Sequence, residues 1–131
     1  MIEYLFDENL SHSYADSLNV LEKSRGDYIV QSTKRALHAS ASDEEIVNYA
    51  TTKNHTVIIL AQDRDFRKRN LYTLIMKSRN VGLFLINFPK GYKFWDQVQF
   101  IYKQWIGIRD IANNEKPPFS YKVSYRKIEK L

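Results

Sequence analysis

The chain has 131 residues, which is enough for one domain, and 44% of them are hydrophobic, which supplies the apolar surface that a packed core requires. This composition excludes disorder as the main state, and the absence of cysteine excludes disulfide bonds and cysteine-ligated zinc. The formal net charge of +5 divides unevenly, because residues 1–66 carry six Lys/Arg against eleven Asp/Glu, whereas residues 67–131 carry fourteen against four. The basic half indicates a polyanionic partner such as nucleic acid, and the acidic half indicates an offsetting cation; a solvated surface of mixed charge also fits.

The amino-terminal segment MIEYLFDE carries acids where a signal peptide has a basic and then an apolar region. No later stretch approaches the length of a membrane span. We therefore expect a cytoplasmic protein without a membrane partner.

Short apolar strands alternate with amphipathic helices through residues 1–113. Strands are predicted at residues 2–6, 28–31, 56–61 and 81–88, and helices at residues 11–23, from residue 42 or 43 onward, at 68–77 and at 94–111. The run at 56–61 is apolar throughout, which is typical of a parallel strand covered on both faces. The pattern predicts an α/β fold, a three-layer α/β/α domain with a mostly parallel central sheet.

Helical spacing predicts which side chains of two helices face the core. In the first helix these are Leu10, Tyr14, Leu18 and Leu21, and the helix ends near Gly26. In the longest helix the predicted stripe is Trp95, Val98, Tyr102, Trp105 and Ile106. Residues 32–41 show no period and predict a loop.

Two further segments carry local signals. Ser42 and Glu45 form the pattern of a capping box at the start of the second helix. After Pro117-Pro118, apolar and polar residues alternate, which predicts a half-exposed final strand. We interpret residues 1–113 as the domain and residues 114–131 as a strand-like extension of it.

Acidic residues cluster where strands end. In an open α/β sheet the ligand site lies beyond the carboxyl ends of the strands, and the acids expected at that edge are Asp7, Glu8, Asp43, Glu44, Asp63 and Asp65. Converging carboxylates raise each other's pKa unless a cation neutralises them, and such oxygen ligands suit Mg²⁺ or Mn²⁺. A metal held in this way lowers the pKa of a bound water and neutralises phosphate oxygens, as in many nucleases.

Each cluster also has a structural interpretation. Asp7 or Asn9 could cap the first helix, acids in a first helical turn favour the helix dipole, and Asp63 with Asp65 could form a turn. For Glu45 the capping box suffices as an explanation. The coincidence of three clusters at one edge favours the metal site.

Basic residues flank these acids in sequence and are candidates for RNA contact: Lys34, Arg35, Arg64, Arg67, Lys68 and Arg69. An ordinary solvated helix face also fits. The three histidines show no ligand spacing, and we interpret them as surface or cap-region residues. Tyr121 and Tyr125, interleaved with basic residues, fit RNA contact, an edge strand or a protein interface.

The segments LFDENLS (residues 5–11), ASDEEI (41–46) and ILAQDRDF (59–66) together resemble the PIN-like proteins of the Mut7-C type. This branch of the PIN nuclease superfamily includes VapC-like toxins, and the resemblance covers about residues 1–90. It implies a PIN-like fold and a divalent-metal-dependent endoribonuclease, the toxin of a toxin–antitoxin pair, with RNA and an antitoxin protein as partners and a homodimer as a possible assembly. By motif, the resemblance makes Asp7, Asp43, Asp63 and Asp65 the catalytic, metal-binding acids, with Glu8 and Glu44 as neighbours.

The chain departs from that pattern at Ala61, where related sequences commonly have a hydroxyl residue that could orient a metal-bound water. This departure, together with the aromatic and basic residues of the carboxyl-terminal extension, motivates a second hypothesis, a non-catalytic PIN-like module that binds RNA or protein. A phosphoryl-transfer domain of the receiver or haloacid-dehalogenase type is a weaker third hypothesis, because Asn87, Lys90 and Phe66 fit those motifs poorly.

Overall fold

A computed structural model of the chain describes residues 1–26, 28–62 and 69–131. In chain order its elements are β1 (Ile2–Phe6), α1 (His12–Lys23), β2 (Tyr28–Ser32), α2 (Thr33–Ala36), α3 (Asp43–Thr51), β3 (Thr56–Gln62), α4 (Arg69–Met76), β4 (Val81–Ile86), α5 (Phe94–Asn114), β5 (Phe119–Val123) and β6 (Ile128–Lys130). Of the helices in these residues, none is both long and apolar enough to cross a bilayer.

The strands form one six-stranded sheet in the order β2-β1-β3-β4-β5-β6. Every neighbouring pair is parallel except β5 and β6, which are antiparallel. The predicted α/β fold with a mostly parallel sheet is therefore confirmed. β2 and β3 lie on opposite sides of β1 in the sheet. The connection after β1 therefore leads to the strand on one side, β2, whereas the connection after β3 leads to the strand on the other side, β4. The carboxyl ends of β1 and β3 are the switch point at which ligands bind in such sheets.

Helices cover both faces of the sheet, as alternating side chains of the strands require. Tyr4, Phe6 and Leu60 belong to a buried cluster with α1 and α5. Leu5 and Ile59, from the same two strands, belong to a second cluster with α3 and α4. The three-layer arrangement has one core on each side of the sheet.

The buried face of α1 differs from the prediction at one position. Leu21 is 54% exposed, whereas Glu22 is 4% exposed. Glu22 Oε2 lies 3.2 Å from Arg109 Nε, and Trp105 Nε1 donates to Glu22 Oε1 at 3.3 Å. Glu22, with these two partners on α5, therefore occupies the buried position for which the periodicity predicted Leu21.

The predicted apolar stripe of α5 is wrong for three of its five residues. Trp95 is 73% exposed and Ile106 is 67% exposed, whereas Phe100, Ile101 and Ile108 are buried. Both stripes have helical spacing, and the sheet contacts the stripe that contains Phe100 and Ile108. Tyr102, also predicted in the core, is 39% exposed and donates to Ser17 on α1.

Residues 32–41 were predicted as a loop, but the short helix α2 begins there. The Ser32 hydroxyl accepts a hydrogen bond from the backbone N–H of Arg35 at 3.3 Å and caps this helix. One capped turn is too short to produce an apolar period, so the pattern gave no sign of it.

The segment after the two prolines adds two strands instead of one. β5 lies parallel to β4 inside the sheet, with Phe119 and Val123 fully buried, and β6 is the edge. The prediction of a half-exposed final strand is therefore wrong, and of the interpretations left open for Tyr121 the edge strand does not hold. Gly82 of β4 makes room for this packing, because a Cβ atom there would lie 2.5 Å from ring carbons of Phe119.

Candidate metal and nucleic-acid site

Asp7 lies at the switch point of the sheet. Its backbone N–H donates to the carbonyl of Leu60 at 2.8 Å, which extends the pairing of β1 with β3 one residue beyond Phe6. The turn that follows is closed by Leu10 N–H, which donates to the Asp7 carbonyl at 2.9 Å. The backbone of Asp7 is therefore held by a strand on one side and a turn on the other.

The Asp7 carboxyl group is only 3% exposed. Burial, followed by the negative charge of Asp43, raises its pKa to about 6, although the backbone N–H groups of Asn9 and Glu8 donate to it and oppose this rise. The charge of Glu8 adds a smaller contribution in the same direction as Asp43. An ionised Asp7 is thus costly to the fold at neutral pH without a compensating positive charge.

Asp43 is half-buried at the start of α3, where the local sequence fixes it. The Ser42 hydroxyl accepts from the backbone N–H of Glu45 at 3.1 Å, and Glu45 Oε1 accepts from the backbone N–H of Ser42 at 3.1 Å. This capping box was predicted and is confirmed, and it accounts for Glu45, which also contacts His38 at 2.7 Å. The negative charge of Asp43 contributes to the raised pKa of Asp7.

The predicted capping role of Asp7 or Asn9 is wrong. The first helix is capped by Ser11, whose hydroxyl accepts from the backbone N–H of Ser13 at 3.2 Å. Because Ser11 carries out this role, capping does not account for a buried acid at position 7.

The remaining predicted acids have different positions. Glu8 and Glu44 are exposed, and Asp63 and Asp65 lie outside the described residues. Within residues 1–26, 28–62 and 69–131, no cluster of three or more His, Asp or Glu side chains is placed to hold a metal ion. The described part of the site is the pair Asp7 and Asp43.

The predicted RNA-contacting residues are only partly described. Arg64, Arg67 and Lys68 lie outside the described residues, and Arg69 is the first residue of α4. On α2, Arg35 forms a two-bond ion pair with Asp16, at 2.8 and 2.9 Å. Lys34 is exposed and lines a pocket of about 370 Å³ together with Glu8, Asn9, Ser11, His12 and Ser32. A basic side chain therefore lines the same pocket as Glu8 at the carboxyl edge of the sheet.

Sequence reasoning missed a hydroxyl at this edge. Thr33 is fully buried and directly follows Ser32, the register partner of Phe6. Its Oγ1 atom has no hydrogen-bond partner among the described residues, and buried hydroxyls ordinarily have one. A polar residue directly after a strand was the available signal, but residues 32–41 show no period that predicts the burial of Thr33. Ala61, in contrast, is fully buried in the core against α3 and α4.

These observations fit a divalent cation. Asp7 is buried, its pKa is raised by burial and by Asp43, and both groups are hard oxygen ligands. The buried hydroxyl of Thr33, which follows the adjacent strand β2 and lacks a partner among the described residues, suits a hydrated ion. Asp63 and Asp65 follow β3 in the sequence, outside the described residues.

A second polar cluster, also missed by sequence reasoning, lies near the amino ends of β1 and β3. Glu3 is 2% exposed and accepts hydrogen bonds from Tyr49 at 2.7 Å and from Gln31 at 2.9 Å, and it lies 2.8 Å from His55. Burial raises the pKa of Glu3, but these hydrogen bonds, that of His55 first, lower it below its ordinary value. The cluster provides the buried Glu3 carboxylate with hydrogen-bond partners. His55 is one of these partners, at the opposite end of the strands from the acids at the carboxyl edge.

Comparison with known protein families gives a match to this chain. A family model described as a PIN-like domain matches residues 2–87, about two thirds of the chain, from β1 through β4. No curated protein and no solved structure matches the chain significantly. The matched range contains Asp7, Asp43, Asp63 and Asp65.

Proposed function

The chain belongs to the PIN-like domain family, and from that premise we propose that it is a divalent-metal-dependent endoribonuclease. The observation that carries this proposal is the buried Asp7 beside Asp43 at the switch point, with its pKa raised to about 6. A fold that needed no cation there would gain stability from an uncharged residue at this position. Costly acids of this kind are characteristic of functional sites.

We propose that Asp7, Asp43, Asp63 and Asp65 hold Mg²⁺ or Mn²⁺, with Glu8 and Glu44 as neighbours. When bound, such an ion lowers the pKa of a coordinated water and offsets the negative charge of the phosphate. The backbone N–H groups of Glu8 and Asn9 keep the Asp7 carboxylate oriented, since both donate to it.

Basic residues complete the proposed site. Lys34 at the edge, together with Arg64, Arg67, Lys68 and Arg69 after β3, would contact phosphates on either side of the cleaved bond. Arg35 is occupied by Asp16, so we expect a smaller contribution from it. Loss of charge at Arg67, Lys68 and Arg69 should weaken RNA binding and flatten its salt dependence while metal affinity is unchanged. If the dependence of RNA affinity on salt concentration is unchanged in the variant, these three residues do not contact phosphates.

The test is cleavage of defined RNAs with Mn²⁺, with Mg²⁺ and with EDTA. Purified chain should cleave with either metal and not with EDTA, and Asp7→Asn and Asp43→Asn should each reduce the rate at least a hundredfold, as loss of a positioned metal ligand does. Asp110→Asn, an exposed change of equal charge on α5, is the matched control. Unchanged cleavage in the Asp7→Asn variant would refute the proposal.

One observation favours a second candidate function, an RNA- or protein-binding module without catalysis. Ala61 has no hydroxyl and lies inside the core, so it cannot orient a water at the acids. Metal-dependent turnover that requires Asp7 would exclude this alternative.

The finer assignment to the Mut7-C type and the VapC branch rests on the sequence resemblance alone. On that basis we propose a cytoplasmic toxin that pairs with an antitoxin protein and that could form a homodimer. Expression of the chain should arrest growth, and co-expression of a small DNA-binding protein from the neighbouring reading frame should relieve the arrest. Growth that is unaffected by the wild-type chain would argue against the toxin role.

A further inference from the structure

A pocket of about 270 Å³ lies at the carboxyl ends of β3 and β4, on the side of the sheet covered by α5. Its lining combines aromatic rings with amides and includes Gln62, Asn87, Phe88, Lys90, Tyr92 and Gln97. Among the described residues that line it, Lys90 is the one that carries a full charge. A ligand with a flat, uncharged ring and a nearby negative charge matches this lining.

The aromatic side chains are fixed by the core. Phe88 and Tyr92 both pack on Phe100 of α5, with ring centroids 5.1 and 6.4 Å away at near-perpendicular angles. Both are half-buried, so each is anchored by the core and keeps part of its surface exposed. Anchored aromatic rings are the surfaces on which proteins stack unpaired bases.

A turn holds the rim of the pocket. Tyr92 N–H donates to the carbonyl of Pro89 at 3.3 Å, and Gly91 between them has φ of 85°. A positive φ at the third position of a four-residue turn is that of type II and favours glycine. Lys90 and Tyr92 are therefore presented by a defined turn at the edge of the sheet.

The amides can contact a base edge. Tyr14 Oη donates to Gln97 Oε1 at 2.7 Å, which orients that amide and leaves its NH₂ group as a donor. The backbone N–H of Asn87 donates to the carbonyl of Val123 at 2.9 Å, which fixes the residue while its exposed side chain lines the pocket. Among the described residues, none pairs with the side-chain amide of Asn87 or of Gln62. Amide groups discriminate between bases because they present both a donor and an acceptor.

The pocket is close to the proposed metal site. Gln62 is the last residue of β3, and the backbone of Asp7 is bonded to Leu60 of the same strand. Neighbouring strands lie about 4.8 Å apart, so an RNA strand whose phosphate lies at Asp7 can cross the edge of the sheet and place a base in the pocket.

We propose that this pocket binds one unstacked nucleobase of the RNA substrate and sets the sequence preference of the chain. The inference rests on the proposed endoribonuclease function. Tyr92 and Phe88 would contact the face of the base, Asn87, Gln62 and Gln97 its edge, and Lys90 the adjoining phosphate.

The first experiment measures binding without cleavage. The full chain carrying Asp7→Asn is titrated into four short labelled homopolymeric RNAs, and binding is followed by fluorescence anisotropy. We expect one RNA to bind more tightly than the others, Asn87→Ala to remove that difference, and Tyr92→Ala to weaken binding roughly tenfold, as loss of one stacked base does. The matched control is Trp95→Ala, an aromatic residue of α5 that is 73% exposed and lies outside the lining, which should change nothing.

Equal binding of all four RNAs, or pocket variants that behave as Trp95→Ala does, would overturn the proposal. Because Asn87 is exposed, its variant keeps the test decisive even if Tyr92→Ala fails to fold. The second experiment sequences the ends produced from a random RNA pool by the chain with Asp7 intact. Cleavage with no base preference would overturn the pocket and leave the nuclease, whereas base-specific binding with no cleavage would support the pocket and refute the nuclease.

Discussion

Replacing Asp7 by asparagine should make the metal-free chain more stable while it removes activity. The Asp7 carboxyl is 3% exposed, and its pKa rises from an ordinary 3.8 to about 6, through burial first and the charge of Asp43 second. Asparagine keeps an oxygen that can accept from the backbone N–H groups of Glu8 and Asn9, and it adds an amide group instead of a charge.

The sign and size of the effect follow from proton linkage. Between about pH 4 and pH 6 the folded chain binds more protons at Asp7 than the unfolded chain, so stability falls as the pH rises through this window. At about 1.4 kcal/mol per pH unit, a rise from 3.8 to about 6 costs about 3 kcal/mol at pH 7.5. For a chain of 131 residues this corresponds to a Tm about 10 °C higher in the variant.

The assay is thermal and urea unfolding of both chains in EDTA at pH 7.5 and again near pH 4. The free energy of unfolding should favour Asp7→Asn at the higher pH. Most of the difference should disappear near pH 4, because Asp7 is then protonated in the folded chain and only about half ionised in the unfolded chain, where its pKa is an ordinary 3.8. Asp110→Asn, which makes the same change of charge on an exposed part of α5, should have little effect at either pH. A variant no more stable than wild type at pH 7.5, or a gain that does not depend on pH, would show that burial of the ionised Asp7 does not destabilise the fold.

Three further predictions follow from the described contacts. Manganese at a hundred times its Kd should stabilise the wild-type chain by about 2.7 kcal/mol in calorimetry, and it should not stabilise Asp7→Asn; equal shifts would place the ion elsewhere. Arg109→Met removes the guanidinium that lies 3.2 Å from the buried carboxylate of Glu22, which is 4% exposed, and should lower the free energy of unfolding in urea by about 3 kcal/mol. Adding Glu22→Gln should recover part of this loss. An Arg109→Met variant as stable as wild type would contradict the prediction. Hydrogen bonds hold the pKa of Glu3 below its ordinary 4.5 in the folded state. The ionised Glu3 therefore stabilises the fold above pH 4.5, and this stabilisation is lost as the pH falls through the pKa of Glu3 in the folded chain. The stability loss of Glu3→Gln at pH 7 should therefore diminish in acid, and a loss that stays constant down to pH 3 would argue against an ionised Glu3.

The sequence predicted those parts of the fold that local patterns control. The strands around Leu5 and Ile59 were visible as apolar runs, and the start of α3 was visible in Ser42 and Glu45 because a capping box involves only residues close in sequence. The approach of Asp7 to Asp43 could be anticipated from topology, since parallel strands bring their carboxyl ends to one edge.

The errors occurred where a distant partner decides the outcome. On α5, two stripes of apolar residues have helical spacing, and only contact with the sheet selects Phe100 over Trp95. The burial of Glu22 depends on Arg109, which is far away in sequence. The burial of Thr33, whose hydroxyl has no partner among the described residues, was not predicted, because no periodicity marks a single polar residue after a strand.

The position of β5 protects the most apolar strand of the sheet from other chains. β4 has the sequence VGLFLI, and all six of its residues are buried. A shortened chain ending at residue 113 would leave one side of this uncharged hexapeptide as an open edge, which is the kind of segment that assembles into intermolecular β-structure. With β5 and β6 present, the edge on this side of the sheet is β6, which is three residues long and has Glu129 and Lys130 both exposed. The last eighteen residues thus replace an aggregation-prone boundary with a short, charged one.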